Sequence, residues 1–328
     1  MGKAVNLVEL WRGDILESVH SGHAVVCDGA GQVVMAWGDP AHVTYPRSSA
    51  KMIQALPLVE SGAADAVRLD EERLALACAS HKGASMHTTR VAAWLSDLGL
   101  GEPDLRCGSH APGDRSTAEA LVRAGEKPCQ IHNNCSGKHA GFLTLTRHLG
   151  AGPEYVEIDH PVQQAVRAAF EELAGETSAG WGVDGCSAPN FAASLAGTAR
   201  AMASFATAGG RSGARAGAQR RLAAAMMAHP ELVSGERAAC AELMRACEGR
   251  AAVKTGAEGV YVAILPGLGL GVALKIEDGA TRASEATIAA ILVRLGVLDG
   301  AHPVAERLTA GVQRNWRGIA TGRLVTRL

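Results

Sequence analysis

In Pro46-Arg-Ser-Ser-Ala-Lys-Met-Ile-Gln-Ala55, a serine and a lysine stand one helical turn apart, at a point where the chain changes from one pattern to another. Upstream, Val5 to Trp37 alternates apolar and polar residues around turn-forming glycines, which predicts short strands in a hairpin. Downstream, apolar residues recur at helical spacing from Met52 to Val59. The change of pattern therefore places Ser48 at a helix start, with Lys51 on the same face.

Strand patterns return near the end of the chain, at Val253 to Ile264 and at Leu270 to Ile276, after a mainly helical middle. A last long helix, Ala283 to Leu295, follows them. This order predicts an α/β fold in which one mixed sheet, made from both chain ends, is flanked by helices and carries an inserted all-helical domain. We expect residues 1–47 and 248–328 to form the sheet domain and residues 48–247 the helical domain, with a cleft between them.

Composition excludes several kinds of partner. Lys and Arg number 32 against 33 Asp and Glu in 328 residues, so there is no excess positive charge for phosphates or anionic lipids. No segment reaches transmembrane length, and Glu9 and Arg12 interrupt the region where a signal peptide would need an apolar run. The eight cysteines are scattered, so a disulfide framework is not expected. The sequence predicts a soluble, cytoplasmic protein without nucleic-acid or membrane partners.

The spacing of Ser48 and Lys51 suits nucleophilic catalysis. A serine hydroxyl is a poor nucleophile until a neighbour takes its proton, and a buried lysine near a helix start can have its pKa lowered enough to do so. Alone, Ser-x-x-Lys arises by chance roughly once in a chain of this length, and a helix cap followed by a solvated lysine is the alternative interpretation. Lys254-Thr-Gly256 follows on a predicted strand, in the order typical of penicillin-recognising enzymes, which favours catalysis.

Ser80-His-Lys82 lies on a predicted loop between helices, in the place of the Ser-Asp-Asn loop of those enzymes. The match is one of position only, because Asp and Asn are absent. Ser80 is therefore a proton relay or a second nucleophile, or the loop has another role, and His81 can equally be a structural residue. On the later strand, Lys254 would supply positive charge and Gly256 would let the substrate backbone lie close.

Two polar, glycine-containing insertions remain in otherwise apolar surroundings, Cys135-Ser-Gly-Lys138 and Asp184-Gly-Cys-Ser187. Neither has Cys-x-x-Cys or His-Glu-x-x-His spacing. The residues by themselves therefore favour buried structural thiols over a metal site.

Five strings together resemble the asparaginase II family, the rhizobial-type L-asparaginases. They are Pro46-Arg-Ser-Ser-Ala-Lys-Met-Ile-Gln-Ala55, Ala79-Ser-His-Lys-Gly83, Asn133-Asn-Cys-Ser-Gly-Lys-His-Ala-Gly141, Asp184-Gly-Cys-Ser-Ala-Pro-Asn190 and Lys254-Thr-Gly-Ala-Glu-Gly259. They span most of the chain, and the string that begins at Asn133 is particularly specific. The resemblance implies a fold similar to that of serine β-lactamases and glutaminases, a homodimer, and hydrolysis of L-asparagine to L-aspartate and ammonia.

The resemblance also implies four catalytic residues, Ser48, Lys51, Ser80 and Lys254. In the mechanism that follows from it, Lys51 accepts the proton of Ser48, and Ser48 attacks the amide carbon. Ammonia leaves with a proton relayed through Ser80 and Lys254, and water hydrolyses the acyl-enzyme. Whether Ser48 or Ser80 forms the covalent bond stays open, because each has a lysine within plausible reach.

One zinc ion per chain is implied by the same resemblance, with Cys135, Lys138 and Cys186 as ligands. Lysine binds a metal only as the neutral amine, so burial and the ion itself must lower its pKa. Two thiolates weaken zinc as a Lewis acid, so we expect it to orient the substrate's amino and carboxylate groups.

The resemblance implies four further residues around the substrate, Arg47, His139, Asp184 and Cys240. Arg47 suits a carboxylate clamp because its fork matches two oxygens, and Asp184 is expected beside the metal. Cys240 is equally consistent with a small buried hydrophobe.

Two other classes of protein fit the same residues. One is a non-catalytic zinc or metabolite sensor that kept the fold and lost turnover. The other is a β-lactamase or D-alanyl peptidase, whose substrates are periplasmic although no export signal is evident. Ammonia release from asparagine, glutamine and short β-aspartyl compounds would distinguish these classes.

Overall fold

The structure is a computed structural model that describes residues 2–328. The strands are β1 (Val5–Arg12), β2 (Ile15–Cys27), β3 (Val33–Trp37), β4 (Val43–Thr44), β5 (Gly180–Val183), β6 (Pro189–Ser194), β7 (Ala252–Thr255), β8 (Val260–Leu265), β9 (Leu270–Ile276), β10 (Val312–Arg314) and β11 (Ala320–Thr326). The α-helices are α1 (Lys51–Gln54), α2 (Leu56–Glu60), α3 (Ala63–Ala66), α4 (Glu71–Ala77), α5 (Ser85–Asp97), α6 (Arg115–Ala124), α7 (Ser136–Leu149), α8 (Pro161–Ala174), α9 (Leu195–Ala206), α10 (Ala214–Ala228), α11 (Pro230–Ser234), α12 (Ala239–Ala246), α13 (Thr281–Arg294) and α14 (Pro303–Thr309). A 3-10 turn, Arg47–Ala50, directly precedes α1 and is called the Ser48 turn below.

The main sheet has eight strands in the order β10-β11-β1-β2-β9-β8-β7, with β3 also paired to β2. The first strands of the chain thus lie beside the last ones, as predicted, and the predicted fold class is confirmed. One detail differs, because each pairing within this sheet is antiparallel where a mixed sheet was expected. Short connections such as those between β1 and β2 and between β8 and β9 permit only antiparallel neighbours.

Helices cover the centre of this sheet. All six residues of β8 are buried, and successive strand residues face opposite sides, so both faces of the sheet are covered there. Helices α9 and α13 pack against β8 and β9. Gly271 allows the approach of α9, because a Cβ at that position would overlap the backbone of Ala199 and Ala203.

The inserted region is not all helical, which corrects the prediction. A second sheet has three strands in the order β4-β6-β5, and two of them, β5 and β6, belong to this region, whereas β4 precedes it. Five of the six residues of β6 are buried, so the strand lacks the alternation that identifies a half-buried strand in a sequence. Helix α9 belongs to residues 48–247 by sequence, but it packs on the main sheet. The division of the chain into a sheet domain and a helical domain stays a prediction.

Several element boundaries differ from expectation. The strand expected over Val253 to Ile264 is two strands, β7 and β8, joined by a turn in which Glu258 and Gly259 have φ values of 60° and 70°. The hairpin of β10 and β11 was not predicted. Among residues 2–328, no helix combines the length and the apolar character that crossing a membrane requires.

Candidate active site

The Ser48 turn has a strained backbone. Arg47 has a φ of 52°, in the left-handed region that side chains other than glycine rarely adopt. The Ser49 hydroxyl and amide both donate to the Pro46 carbonyl, at 2.6 and 3.1 Å, and hold the turn closed. The Lys51 amide donates to the Ser48 carbonyl. These bonds present the half-buried Ser48 side chain at the start of α1.

The Lys51 side chain does not bond to Ser48. Its amine lies 2.9 Å from the Ser80 hydroxyl and 3.1 Å from the Cys135 sulfur, and it also donates to the Ala79 carbonyl. Lys51 is only 1% exposed. The helical spacing thus brings Ser48 and Lys51 to one end of α1, but the amine reaches past Ser48 to the loop that carries Ser80.

Ser80 lies between two lysine amines. The Lys254 amine is also 2.9 Å from the Ser80 hydroxyl, and Lys254 is fully buried on β7. The Ser80 amide donates to the Val233 carbonyl at 2.8 Å, which fixes the loop. Three of the four predicted catalytic side chains are therefore in direct contact, and Ser80 rather than Ser48 is their common point.

Gly256 brings β7 against the Ser48 turn. A Cβ on Gly256 would stand 2.6 Å from the Pro46 carbonyl oxygen and 3.3 Å from the Ser49 amide nitrogen. The sequence suggested that this glycine makes room for a substrate backbone. In the structure, it makes room for the protein's own turn, so that Lys254 can lie near the Ser48 turn.

The amine of Lys254 loses its proton more readily than an ordinary lysine. Burial lowers the pKa of Lys254 to about 8, and the positive charge of nearby Lys51 acts in the same direction. A lysine with such a pKa can accept a proton at mildly alkaline pH.

Cys135, Cys186 and Lys138 meet in the interior beside these amines. Cys135 is the residue before α7, and its amide donates to the Asn133 side chain at 2.8 Å. Cys186 lies in the tight turn between β5 and β6, where the Asp184 amide donates to the Ala188 carbonyl at 3.0 Å. The Lys138 amine is 3.0 Å from the Cys186 sulfur. Each of the three side chains is at most 5% exposed.

The charges of this cluster are interdependent. A hydrogen bond between the two thiols lowers the pKa of Cys186 well below its ordinary value and raises that of Cys135. Burial on its own would lower the pKa of Lys138, but the charges of Cys186 and Cys135 outweigh burial and raise it. These directions favour a charged pair of Cys186 and Lys138, with the proton of the thiol pair on Cys135.

This donor set fits a zinc ion. Among residues 2–328, no three His, Cys, Asp or Glu side chains cluster as a metal site, so a metal here would need Lys138 as its third donor. Zinc would replace the protons of Lys138 and Cys135, and soft thiolates are ligands that zinc favours. His139 is close by, and its Nε2 is buried without a hydrogen-bonding partner in the described chain.

His139 is held away from solvent. It is fully buried, and its Nδ1 lies 2.9 Å from the Tyr155 hydroxyl, which accepts a bond from the Arg106 amide. Burial lowers the pKa of His139 to about 4, so the imidazole is neutral at physiological pH. No motif in the sequence pointed to Tyr155, whose hydroxyl orients this ring.

Arg47 and Asp184, both expected near the substrate, form an ion pair with each other. The Arg47 Nη2 and Nε lie 2.9 and 3.2 Å from one Asp184 oxygen. The side chains are 27% and 17% exposed. A cavity of about 260 Å³ beside Arg47 is also lined by Tyr45 and Asn190.

A second cavity, of about 280 Å³, opens beside Ser80 and is called the Ser80 cavity. Its inner wall includes Thr255, Tyr261 and Cys240. The Cys240 sulfur accepts a bond from the Thr255 amide at 3.2 Å and lies 3.0 Å from the Tyr261 hydroxyl. Cys240 is thus both a buried residue and part of the cavity wall. The cavity also has charged walls, which no motif in the sequence indicated.

Comparisons with known proteins show which family the chain resembles. The family model described as L-asparaginase II matches residues 8–326. No curated protein sequence matches the chain.

Among solved structures, Mglu in its tris and glutamate form is 15% identical with a TM-score of 0.49, and the match covers 84% of this chain and 59% of that one. The present chain thus spans 59% of the length of that structure. Mglu in its native form is 16% identical with a TM-score of 0.49 and coverages of 90% and 69%. A beta-lactamase from Mycobacterium bovis is 14% identical with a TM-score of 0.40 and coverages of 83% and 94%.

Proposed function

We propose that this chain, which belongs to the L-asparaginase II family, is an amidohydrolase that hydrolyses the side-chain amide of L-asparagine to L-aspartate and ammonia. One observation carries the proposal: the Ser80 hydroxyl joins two buried lysine amines beside the Ser48 turn. Amide hydrolysis needs a nucleophile, a base for its proton and an acid for the leaving nitrogen, and this arrangement supplies all three.

Ser48 is the proposed nucleophile. It is half-buried at the start of α1 and directly follows Arg47. The Ser80 hydroxyl, in contrast, is engaged by two amines at 2.9 Å each. A hydroxyl held between two amines suits proton transfer, whereas attack on a carbonyl carbon requires an oxygen that is free to move toward it.

The proton of Ser48 would pass to Lys51 as the Ser48 oxygen bonds to the amide carbon. The C–N bond then breaks, and Ser80 passes a proton from the two amines to the leaving nitrogen. Water hydrolyses the resulting ester and regenerates the serine. Because Ser80 contacts both Lys51 and Lys254, either amine can take up or supply the proton.

The amino and carboxylate groups of asparagine would lie on the other side of Ser48, toward Arg47 and the thiol cluster. Arg47 would share its guanidinium between Asp184 and the substrate carboxylate, for which its five donors suffice. We propose that Cys135, Lys138 and Cys186 hold one zinc ion. When bound, zinc would supply positive charge that helps to fix the substrate's orientation.

An ammonia-release assay on purified protein tests the proposed function. Asparagine should be hydrolysed, and a Ser48→Ala variant should lose nearly all of that activity. Ser85→Ala is a matched control, because Ser85 is an exposed serine at the start of another helix, α5. Purified protein that releases no ammonia from asparagine would contradict the proposal and favour a binding protein that kept the fold.

A further inference from the structure

The Ser80 cavity is much larger than ammonia requires. Its volume is about 280 Å³, whereas a single molecule the size of water or ammonia needs only about 10–15 Å³ by the same measure. It reaches from Ser80 outward to α12 and to the helices near the end of the chain. A leaving group of several heavy atoms would therefore fit.

The charges on the walls of this cavity are not balanced. Arg307 pairs with Glu242. Lys82 and Arg237 line the cavity without a carboxylate within 4 Å anywhere in residues 2–328. Glu285 is the one other carboxylate on the wall. Two cations without a partner face a single carboxylate, so the cavity favours a ligand that carries one negative charge.

The backbone near the two cations is unusual at residues 235 and 237. Arg237 has a φ of 58°, again in the left-handed region. Gly235 packs closely on the aliphatic part of the Lys82 side chain. A Cβ on Gly235 would stand only 3.1 Å from the Lys82 Cγ. The Lys82 amine is left free to contact a ligand, and the Arg237 guanidinium is exposed beside it.

The proposed role of Ser80 as proton donor determines which part of a substrate would occupy the cavity. In the proposed mechanism, Ser80 gives its proton to the leaving nitrogen, so that nitrogen must lie within hydrogen-bonding distance of the Ser80 hydroxyl. Ser80 is one of the residues that line the cavity. Any group attached to the nitrogen would consequently extend into the cavity, toward Lys82 and Arg237.

We propose that the Ser80 cavity is a leaving-group site, and that the protein also hydrolyses β-aspartyl dipeptides, asparagine derivatives whose amide nitrogen belongs to a second amino acid. The α-carboxylate of that amino acid would be bound by Lys82 and Arg237. This inference rests on the proposed function, since the aspartyl half would bind as asparagine does.

The reaction needs no additional reagent. The Ser48 oxygen bonds to the β-carbonyl carbon, the C–N bond breaks, and the released electron pair on nitrogen takes the proton relayed by Ser80. The second amino acid leaves with a free amine, and water hydrolyses the ester to give L-aspartate.

Two substrates of nearly equal size test the inference. β-Aspartyl-alanine carries the carboxylate, and β-aspartyl-alaninamide replaces it with a neutral amide. Release of aspartate should be at least about tenfold more efficient with the carboxylate, as expected from one charge-assisted hydrogen bond. Asparagine is measured in the same preparations.

Arg237→Gln and Lys82→Gln should each lower kcat/KM for β-aspartyl-alanine, relative to that for asparagine, by about tenfold. Arg115→Gln is the matched control, because Arg115 lies on α6 with a side chain that is 92% exposed. In that control the ratio should stay at the wild-type value.

The outcomes separate the two proposals. Hydrolysis of asparagine without hydrolysis of either dipeptide would overturn the leaving-group site and leave the proposed function standing. Hydrolysis of both dipeptides at equal rates, or a ratio unchanged by Arg237→Gln and Lys82→Gln, would overturn carboxylate recognition in the cavity. Failure with all three substrates would overturn the proposed function itself, and this inference with it.

Discussion

Ser80 has a more central position than its motif suggested. A hydroxyl has one proton and two lone pairs, so it can accept from one ammonium and donate to one neutral amine at the same time. Lys51 and Lys254 are placed for this on its two sides. A proton would then pass from one amine to the other through Ser80, without a direct hydrogen bond between the two amines.

Substitution of each serine distinguishes nucleophile from relay. Ser48→Ala should lower kcat at least about a thousandfold, and Ser80→Ala about a hundredfold, because general acid–base catalysis supplies about 10²–10⁴. Lys51→Ala combined with Ser48→Ala should be hardly worse than either change alone. Mass spectrometry of acid-quenched reactions would locate the acyl group. More than a tenth of the wild-type kcat in Ser48→Ala would transfer the nucleophilic role to Ser80.

Activity should rise as the pH rises through about 8. Burial lowers the pKa of Lys254 to about 8, so below that pH the amine is protonated and Ser80 has no acceptor on that side. Above it, the Lys254 amine can take the proton that Ser80 passes on. The profile of kcat/KM for asparagine between about pH 6 and pH 10 measures this.

Lys254→Arg tests the assignment of that profile, because arginine keeps its charge throughout this range. The variant should lose the rise near pH 8. A wild-type optimum near about pH 5 would instead indicate a pair of carboxylates and exclude a lysine base.

At the level of the elements, the site depends on close backbone contacts that a sequence pattern describes poorly. Helical periodicity placed Ser48 and Lys51 correctly on one end of a helix, because it depends only on local geometry. It could not show that the Lys51 amine reaches Ser80, which depends on packing between distant segments. The β5–β6 hairpin, which carries Cys186, was missed because its strands are short and one is buried on both sides.

Gly256→Ala should impair catalysis more than stability. The new Cβ would stand 2.6 Å from the Pro46 carbonyl oxygen, so β7 or the Ser48 turn has to move. A displacement of about 1 Å at a reacting group can cost about a hundredfold in rate. We expect kcat to fall by about that factor while circular dichroism and Tm change little.

Gly267→Ala is the control for this change. Gly267 follows β8, and a Cβ there would meet no atom within 4 Å. Equal activities of the two variants would show that the contact between Gly256 and the Ser48 turn does not position the nucleophile.

Across the whole molecule, the site joins segments that are far apart in sequence. The Ser48 turn, the Ser80 loop, the start of α7, the β5–β6 turn and β7 each contribute one or two side chains. The pairing of first and last strands was predictable, because strand patterns at both ends flank a helical middle. The antiparallel direction of the β1–β11 and β2–β9 pairs and the second sheet were not, because these pairings join distant segments and leave no periodic signal.

Zinc binding should raise the free energy of unfolding of the chain. Cys135 directly precedes α7 and Cys186 lies in the distant β5–β6 turn, so an ion held by both binds the folded chain only. Such binding adds about 2.7 kcal/mol at a free concentration 100 times the Kd, which should raise Tm by several degrees. Protein prepared without chelator should contain about one zinc per chain.

The control separates the metal from the loss of a buried thiol. Cys186→Ala should abolish the rise in Tm on adding zinc, whereas Cys247→Ala, which removes a fully buried thiol at the end of α12, should keep it.

Wild-type protein stripped of zinc should also show a raised KM with a smaller change in kcat, because zinc that only orients the substrate stabilises ground and transition states equally. Scanning calorimetry with elemental analysis gives the first result independently of activity. An equal Tm with and without zinc, in protein that carries no metal, would leave Cys135 and Cys186 as a buried thiol pair that only stabilises the fold.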